Sequence, residues 1–180
     1  MEDYKLDKLL INKGYSLSSI ESLTGGLFGE FITSKSGASN FYKGGLITYS
    51  NQAKQKVGVE QETLDKYGAV SKQTASEMVI SASNYFQTDV CVSFTGNAGP
   101  SAMEDKPVGL VCIGIKIKDN VYVYENMFSG DRNQIRQKSV EFAIEVLTSL
   151  LEDWKNYKKI EWISYVLVKG NLLWQKMVKM

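Results

Sequence analysis

Apolar positions along this chain switch between two rhythms, and the switches lay out its elements. Residues 3–13 set Tyr4, Leu6, Leu9 and Leu10 at helical spacing and stop at Gly14, which predicts a short packing helix closed by a C′ glycine. Residues 15–20 read as a strand and residues 26–34 as a helix. A polar loop over 35–40 leads through Phe41-Tyr42-Lys43-Gly44-Gly45 into a second strand at 46–49. Ser50 or Asn51 would cap a short helix. Helices over 60–67 and 71–86 follow, broken by Gly68, the second with an inward stripe of Ala75, Met78, Val79, Ala82 and Tyr85. Residues 89–94 predict a third strand and 108–118 a central one. Residues 120–128 predict its antiparallel neighbour, and a long helix starts near Asp131 with Ile135, Phe142, Ile144, Val146 and Leu147 inward. Five strands interleaved with helices make an α/β fold.

The polar interruptions carry the candidate chemistry. Glu21-Ser22-Leu23-Thr24-Gly25-Gly26 falls at the first strand-to-helix turn, at the carboxyl edge of the sheet where ligands collect. Two glycines let a ligand approach the backbone, and Thr24 is a candidate N-cap. Taken alone, the motif reads equally as a tight capped turn. Tyr49-Ser50-Asn51 with Lys54 falls at the end of the second strand, so a hydroxyl, a phenol and an amine share one edge. On spacing alone Lys54 is open to a second reading, a solvated helix lysine, and Tyr49 to another, a core aromatic with its hydroxyl at the rim. Thr95-Gly96-Asn97-Ala98-Gly99-Pro100 is a second threonine-led glycine turn after a buried strand. Arg132 and Arg136 stand one turn apart at a helix start, against the preferred dipole sign, which suggests an anion nearby or a surface ion pair.

Composition narrows the chemistry. The 180 residues contain no histidine, which excludes Ser-His and Cys-His nucleophile pairs and histidine-built metal sites. A base here must be lysine, carboxylate or tyrosine. Cys91 and Cys112 lie in apolar runs without metal-ligand spacing and read as buried thiols, so no metal site is expected. Residues 1–154 hold 15 basic and 19 acidic side chains, a poor platform for nucleic acid, whereas residues 155–180 hold 6 and 1. No window reaches the roughly 18 apolar residues of a membrane span, and the N-terminus lacks a signal-peptide pattern, so a cytoplasmic protein without integral membrane contact is expected. Trp154, Trp162 and Trp174 all fall in the basic tail. It reads as an extension over 151–180 packed on the 1–150 domain or at an oligomer interface, with docking to a membrane or anionic partner as the other possibility; a hairpin around 162–171 is one form for it.

Six short motifs in order, E-S-x-T-G-G, F-Y-x-G-G-x-I-x-Y-S-N-x-x-K, G-A-V-S, T-G-x-A-G-P, K-P-V-G and G-D-R, resemble the C-terminal domain family of the competence/damage-inducible protein CinA over about residues 17–150. Stand-alone members of that family are nicotinamide-mononucleotide deamidases. The resemblance implies a three-layer α/β/α sandwich around a mixed, mostly parallel sheet of about five strands. It also implies a homo-oligomer, a dimer or larger, that hydrolyses the carboxamide of a pyridine nucleotide in NAD salvage with neither metal nor cofactor. The family's catalytic serine, tyrosine and lysine correspond to Ser22, Tyr49 and Lys54. Its substrate contacts fall on Thr24, Gly25, Gly26, Asn51, Thr95, Gly96, Arg132 and Arg136. One stretch departs from the pattern: Ser101-Ala102-Met103-Glu104-Asp105 is short and acidic where the family has a glycine-rich, threonine-containing loop.

The chemistry can be stated on its own terms. Attack by Ser22 on an amide needs a base, an acid for the leaving ammonia and donors for the oxyanion, which backbone N–H groups near Gly25 or Gly96 could supply. Lys54 fills the first two roles only when neutral, so its pKa must fall from about 10.4 toward 7 or 8. The alternative from the same residues is a nucleotide- or phosphate-binding module without turnover, in which Lys54 is a counter-ion.

Overall fold

A computed structural model describes residues 5–152 and 165–168. In chain order the elements are α1 (Leu6–Lys13), β1 (Leu17–Glu21), α2 (Leu27–Thr33), a 3-10 turn (Ala38–Asn40), β2 (Tyr42–Ile47), α3 (Asn51–Lys56), α4 (Gln61–Tyr67), α5 (Lys72–Phe86), β3 (Val90–Gly96), β4 (Leu110–Ile117), β5 (Asn120–Met127), α6 (Arg132–Glu152) and β6 (Tyr165–Val168). Gly14 closes α1 in the left-handed conformation, and Ser71 caps α5 by accepting the Thr74 N–H. The two arginines at the head of α6 follow a reciprocal capping pair, Asp131 Oδ1 accepting from Gln134 N and Gln134 Oε1 from Asp131 N.

The strands form one mixed sheet in the order β2-β1-β3-β4-β5-β6. The parallel share is smaller than expected: β1 runs parallel to β2 and β3, while β4, β5 and β6 join by antiparallel pairing. The turn between β4 (ending at Ile117) and β5 (starting at Asn120) leaves no room for a crossover helix, and the segment 97–109 between β3 and β4 forms none. The second strand also begins earlier than its apolar run suggests. Gly45 in β2 lies so close to β1 that a Cβ there would come within 2.6 Å of Ser19 Oγ and 2.7 Å of the Tyr42 hydroxyl. The glycines that weaken the strand signal are what allow this approach.

Alternation along the strands divides the core in two. Val90, Val92, Phe94, Ile113, Ile115, Tyr122 and Tyr124 face α1, α2 and α6, whereas Ile20, Cys91, Cys112, Val121 and Val123 face α4 and α5. This is the expected three-layer α/β/α arrangement. Both cysteines are free and buried. β6 adds to the β5 edge; Trp154, Trp162, Trp174 and the turn at 169–171 lie outside the described residues. Among the described residues no helix is long and apolar enough to cross a membrane.

Candidate active site

The same alternation sends neighbouring residues of the E-S-x-T-G-G stretch to opposite faces. Glu21 goes to the α2 side. Its carboxylate, 1% exposed, accepts the N–H groups of Gly26 (2.9 Å), Phe28 (3.2 Å) and Gly29 (2.9 Å). The head of α2 is therefore capped by Glu21 rather than by Thr24: the boundary residue is Gly26, φ 101°, with no side-chain cap of its own. A charge among three amide donors is well placed at a helix N-terminus. Sequence reasoning missed Glu21, although an acid five residues before a glycine-led helix was visible in the motif.

Ser22 goes to the α5 side and meets Lys54. Ser50 caps α3 by accepting the Ala53 N–H at 3.1 Å, and Lys54 then reaches back under the sheet edge. Its ammonium donates to Ser22 Oγ at 3.0 Å and to the Thr48 carbonyl at 2.9 Å. Lys54 is only 2% exposed, and burial pulls its pKa from 10.5 down to about 8, against a smaller opposing pull from Glu104. A lysine in this state is neutral in a useful fraction near neutral pH, and its place beside the serine is one that a solvated helix lysine would not take.

Tyr49 makes no hydrogen bond to either member of this pair. It is 62% exposed, and its hydroxyl accepts from Arg132 Nη2 at 2.7 Å. The other arm of Arg132 donates to the Gly99 carbonyl at 2.6 Å, so the guanidinium bridges the exit of β2 and the turn after β3. Arg136 faces the turn after β1 instead, donating from Nε to Leu23 O at 3.1 Å and from Nη2 to Thr24 O at 2.8 Å. Both arginines at the head of α6 thus contact backbone carbonyls. Because a trans peptide points its N–H opposite its C=O, fixing Leu23 O on Arg136 turns the Thr24 N–H away from α6. The Gly25 and Gly26 amides are engaged, by Ser22 O and Glu21 respectively, so the donors of this turn without an acceptor among the described residues are those of Leu23 and Thr24.

The other expected contacts divide. Thr24 is fully buried with its hydroxyl unpartnered. Thr95 is also buried, but donates to Ala69 O at 2.6 Å and so ties β3 to the Gly68-Ala69-Val70 loop. Gly96 is needed for packing, since a Cβ there would lie 2.7 Å from Leu110 O. Asn51 is exposed in the first turn of α3. Glu104 of the short acidic loop turns inward: its carboxylate accepts the N–H groups of Ala69 (2.8 Å) and Val70 (3.2 Å), while Lys106 donates to Val70 O at 2.8 Å. Asn97 holds the same loop through the carbonyls of Met103 and Lys106. No group of three potential metal-ligating side chains occurs among the described residues.

Comparison with known proteins gives a consistent answer. The model of the CinA C-terminal domain matches residues 3–151. A Bacillus subtilis protein named as competence-damage inducible is 44% identical over 141 residues, 78% of this chain and 34% of that protein. A CinA-like protein of Petrotoga mobilis is 42% identical over 137 residues, 75% of this chain and 34% of that one. The chain thus spans about a third of the length of these curated relatives. Among solved structures, a competence-damaged protein (CinA) superfamily protein from Enterobacter cloacae superposes with a TM-score of 0.80 at 35% identity, covering 82% of this chain and 88% of that one.

Proposed function

The chain belongs to the CinA C-terminal domain family, and from that premise we propose that it is a serine amidohydrolase converting nicotinamide mononucleotide to nicotinate mononucleotide and ammonia. The observation that carries the reading is the 3.0 Å contact between Ser22 Oγ and an amine whose burial lowers its pKa to about 8. In the neutral amine, one N–H remains on the Thr48 carbonyl and the lone pair is left for the Ser22 proton. Ser22 Oγ then attacks the carboxamide carbon, and the Thr24 and Leu23 amides receive the developing oxyanion. Lys54 passes the serine proton to the nitrogen, ammonia leaves, and water hydrolyses the acyl-enzyme. Arg132, exposed at the mouth, suits the substrate phosphate. The head of α2 does not, because Glu21 already occupies it.

The reading is tested by ammonia release from nicotinamide mononucleotide. Ser22→Ala and Lys54→Met should each lower kcat by about 10³-fold or more with the fold retained. The wild-type kcat/KM should rise tenfold per pH unit and level off near pH 8 as Lys54 loses its proton. A chain that binds the nucleotide and releases no ammonia is a binding module instead.

A further inference from the structure

Two buried hydroxyls at the carboxyl edge, those of Thr24 and Thr48, have no partner among the described residues and no part in this reaction, and Thr48 is the one whose own carbonyl holds Lys54. β1 and β2 run in parallel register with Glu21 opposite Ile47, and the ladder extends one step further as the Thr48 N–H donates to Glu21 O at 2.8 Å. Thr48 thus stands beside Ser22, and alternation puts both on the face that carries Lys54. Its carbonyl holds the Lys54 ammonium. The Thr48 side chain is 2% exposed, yet its hydroxyl has no partner among the described residues. In the matching position on β3, Thr95 is engaged by Ala69 O. A buried hydroxyl without a partner is disfavoured unless something transient supplies one.

The geometry points to Thr48 Oγ1 as a further catalytic group: with Lys54 Nζ it forms the subsite taken first by the departing ammonia and then by the water that replaces it. This rests on the acyl-enzyme reading above. One base serves both half-reactions, so the leaving nitrogen and the incoming oxygen must occupy the same place within reach of Nζ. In the first half, the Ser22 Oγ–C bond forms, the C–N bond breaks, and the serine proton travels through Lys54 to the nitrogen. In the second, the water oxygen bonds to the acyl carbon, the C–Oγ bond breaks, and a water proton returns through Lys54 to Ser22. Thr48 Oγ1 accepts an N–H or O–H from the occupant and turns its lone pair toward the carbon.

The test uses p-nitrophenyl acetate, whose phenolate leaves without needing a proton, on the wild-type chain, Thr48→Val and Thr48→Ser. All three should give the same burst of p-nitrophenol. The acetyl-Ser22 lifetime, read by intact mass, should lengthen about tenfold or more in Thr48→Val and stay near wild type in Thr48→Ser. Ammonia release from nicotinamide mononucleotide should fall in parallel with KM little changed, and Thr48→Val should melt no lower than wild type. Acetyl-enzyme of Thr48→Val that hydrolyses at the wild-type rate, or loss of its burst, overturns the subsite. If wild type shows these acetyl-enzyme kinetics and releases no ammonia from the nucleotide, the substrate reading fails while the subsite stands. A wild-type Ser22 that is never acetylated overturns both.

Discussion

Glu21 shows how much of the site depends on a side chain that need not touch substrate. Its carboxylate gathers the Gly26, Phe28 and Gly29 amides, and so sets the pitch at which the chain leaves Ser22 and enters α2. In Glu21→Gln one of the two accepting oxygens becomes an NH₂ that faces an N–H donor. We expect a loss of about 1–3 kcal/mol in stability, measured by urea unfolding, and a lower kcat as the Ser22 turn loosens. Unchanged stability would mean that the three amides find other acceptors. Ser22 and Lys54 were legible as candidates because both fall at strand ends in a chain with no histidine, whose base must be lysine, carboxylate or tyrosine; the resemblance to the family gave them their roles, since spacing alone left Lys54 open to a solvated position. The partners of Arg132 and Arg136 were not legible: a cation at a helix head suggests an anion, and here both contact carbonyls supplied by distant loops.

At the scale of elements, the site is framed by two turns that are each held from outside. Arg136 of α6 fixes the turn after β1, while Glu104 and Lys106, in the segment after β3, clamp the loop between α4 and α5. Glu104 has an electrostatic part as well, since its charge raises the Lys54 pKa against the larger effect of burial. Glu104→Gln should therefore move the acid limb of the pH–rate profile to lower pH and speed hydrogen exchange at Ala69 and Val70. Faster exchange with an unmoved limb would reduce Glu104 to a loop staple. The element order was readable from periodicity, including the stop of α1 at Gly14. The direction of β4 and the early start of β2 were not, because the segment 97–109 before β4 is long enough for either direction, and Gly44-Gly45 carries no apolar signal even where the backbone pairs.

Across the whole molecule, the sheet separates the charge that shapes the turn from the amine that acts on it: Glu21 lies among the α2 amides on one face, and Lys54 sits under the edge on the other. Holding that amine has a cost to the fold that can be measured. Its pKa is 10.5 unfolded and about 8 folded, so between these values the unfolded chain binds a proton that the folded chain does not. Stability therefore rises with pH through this window and is lowest below pH 8, where burial penalises the charged amine in full. The difference corresponds to about 3 kcal/mol at most. Lys54→Met removes the titration while keeping an apolar stem in the same space, so other groups that titrate there cancel between the two proteins. The stability of wild type relative to Lys54→Met should climb as pH goes from 8 to 10.5 and stay flat from 6 to 7. Parallel stability curves over the upper window would mean that the amine is charged in the folded state throughout, and with it the proton transfer from Ser22 would be lost.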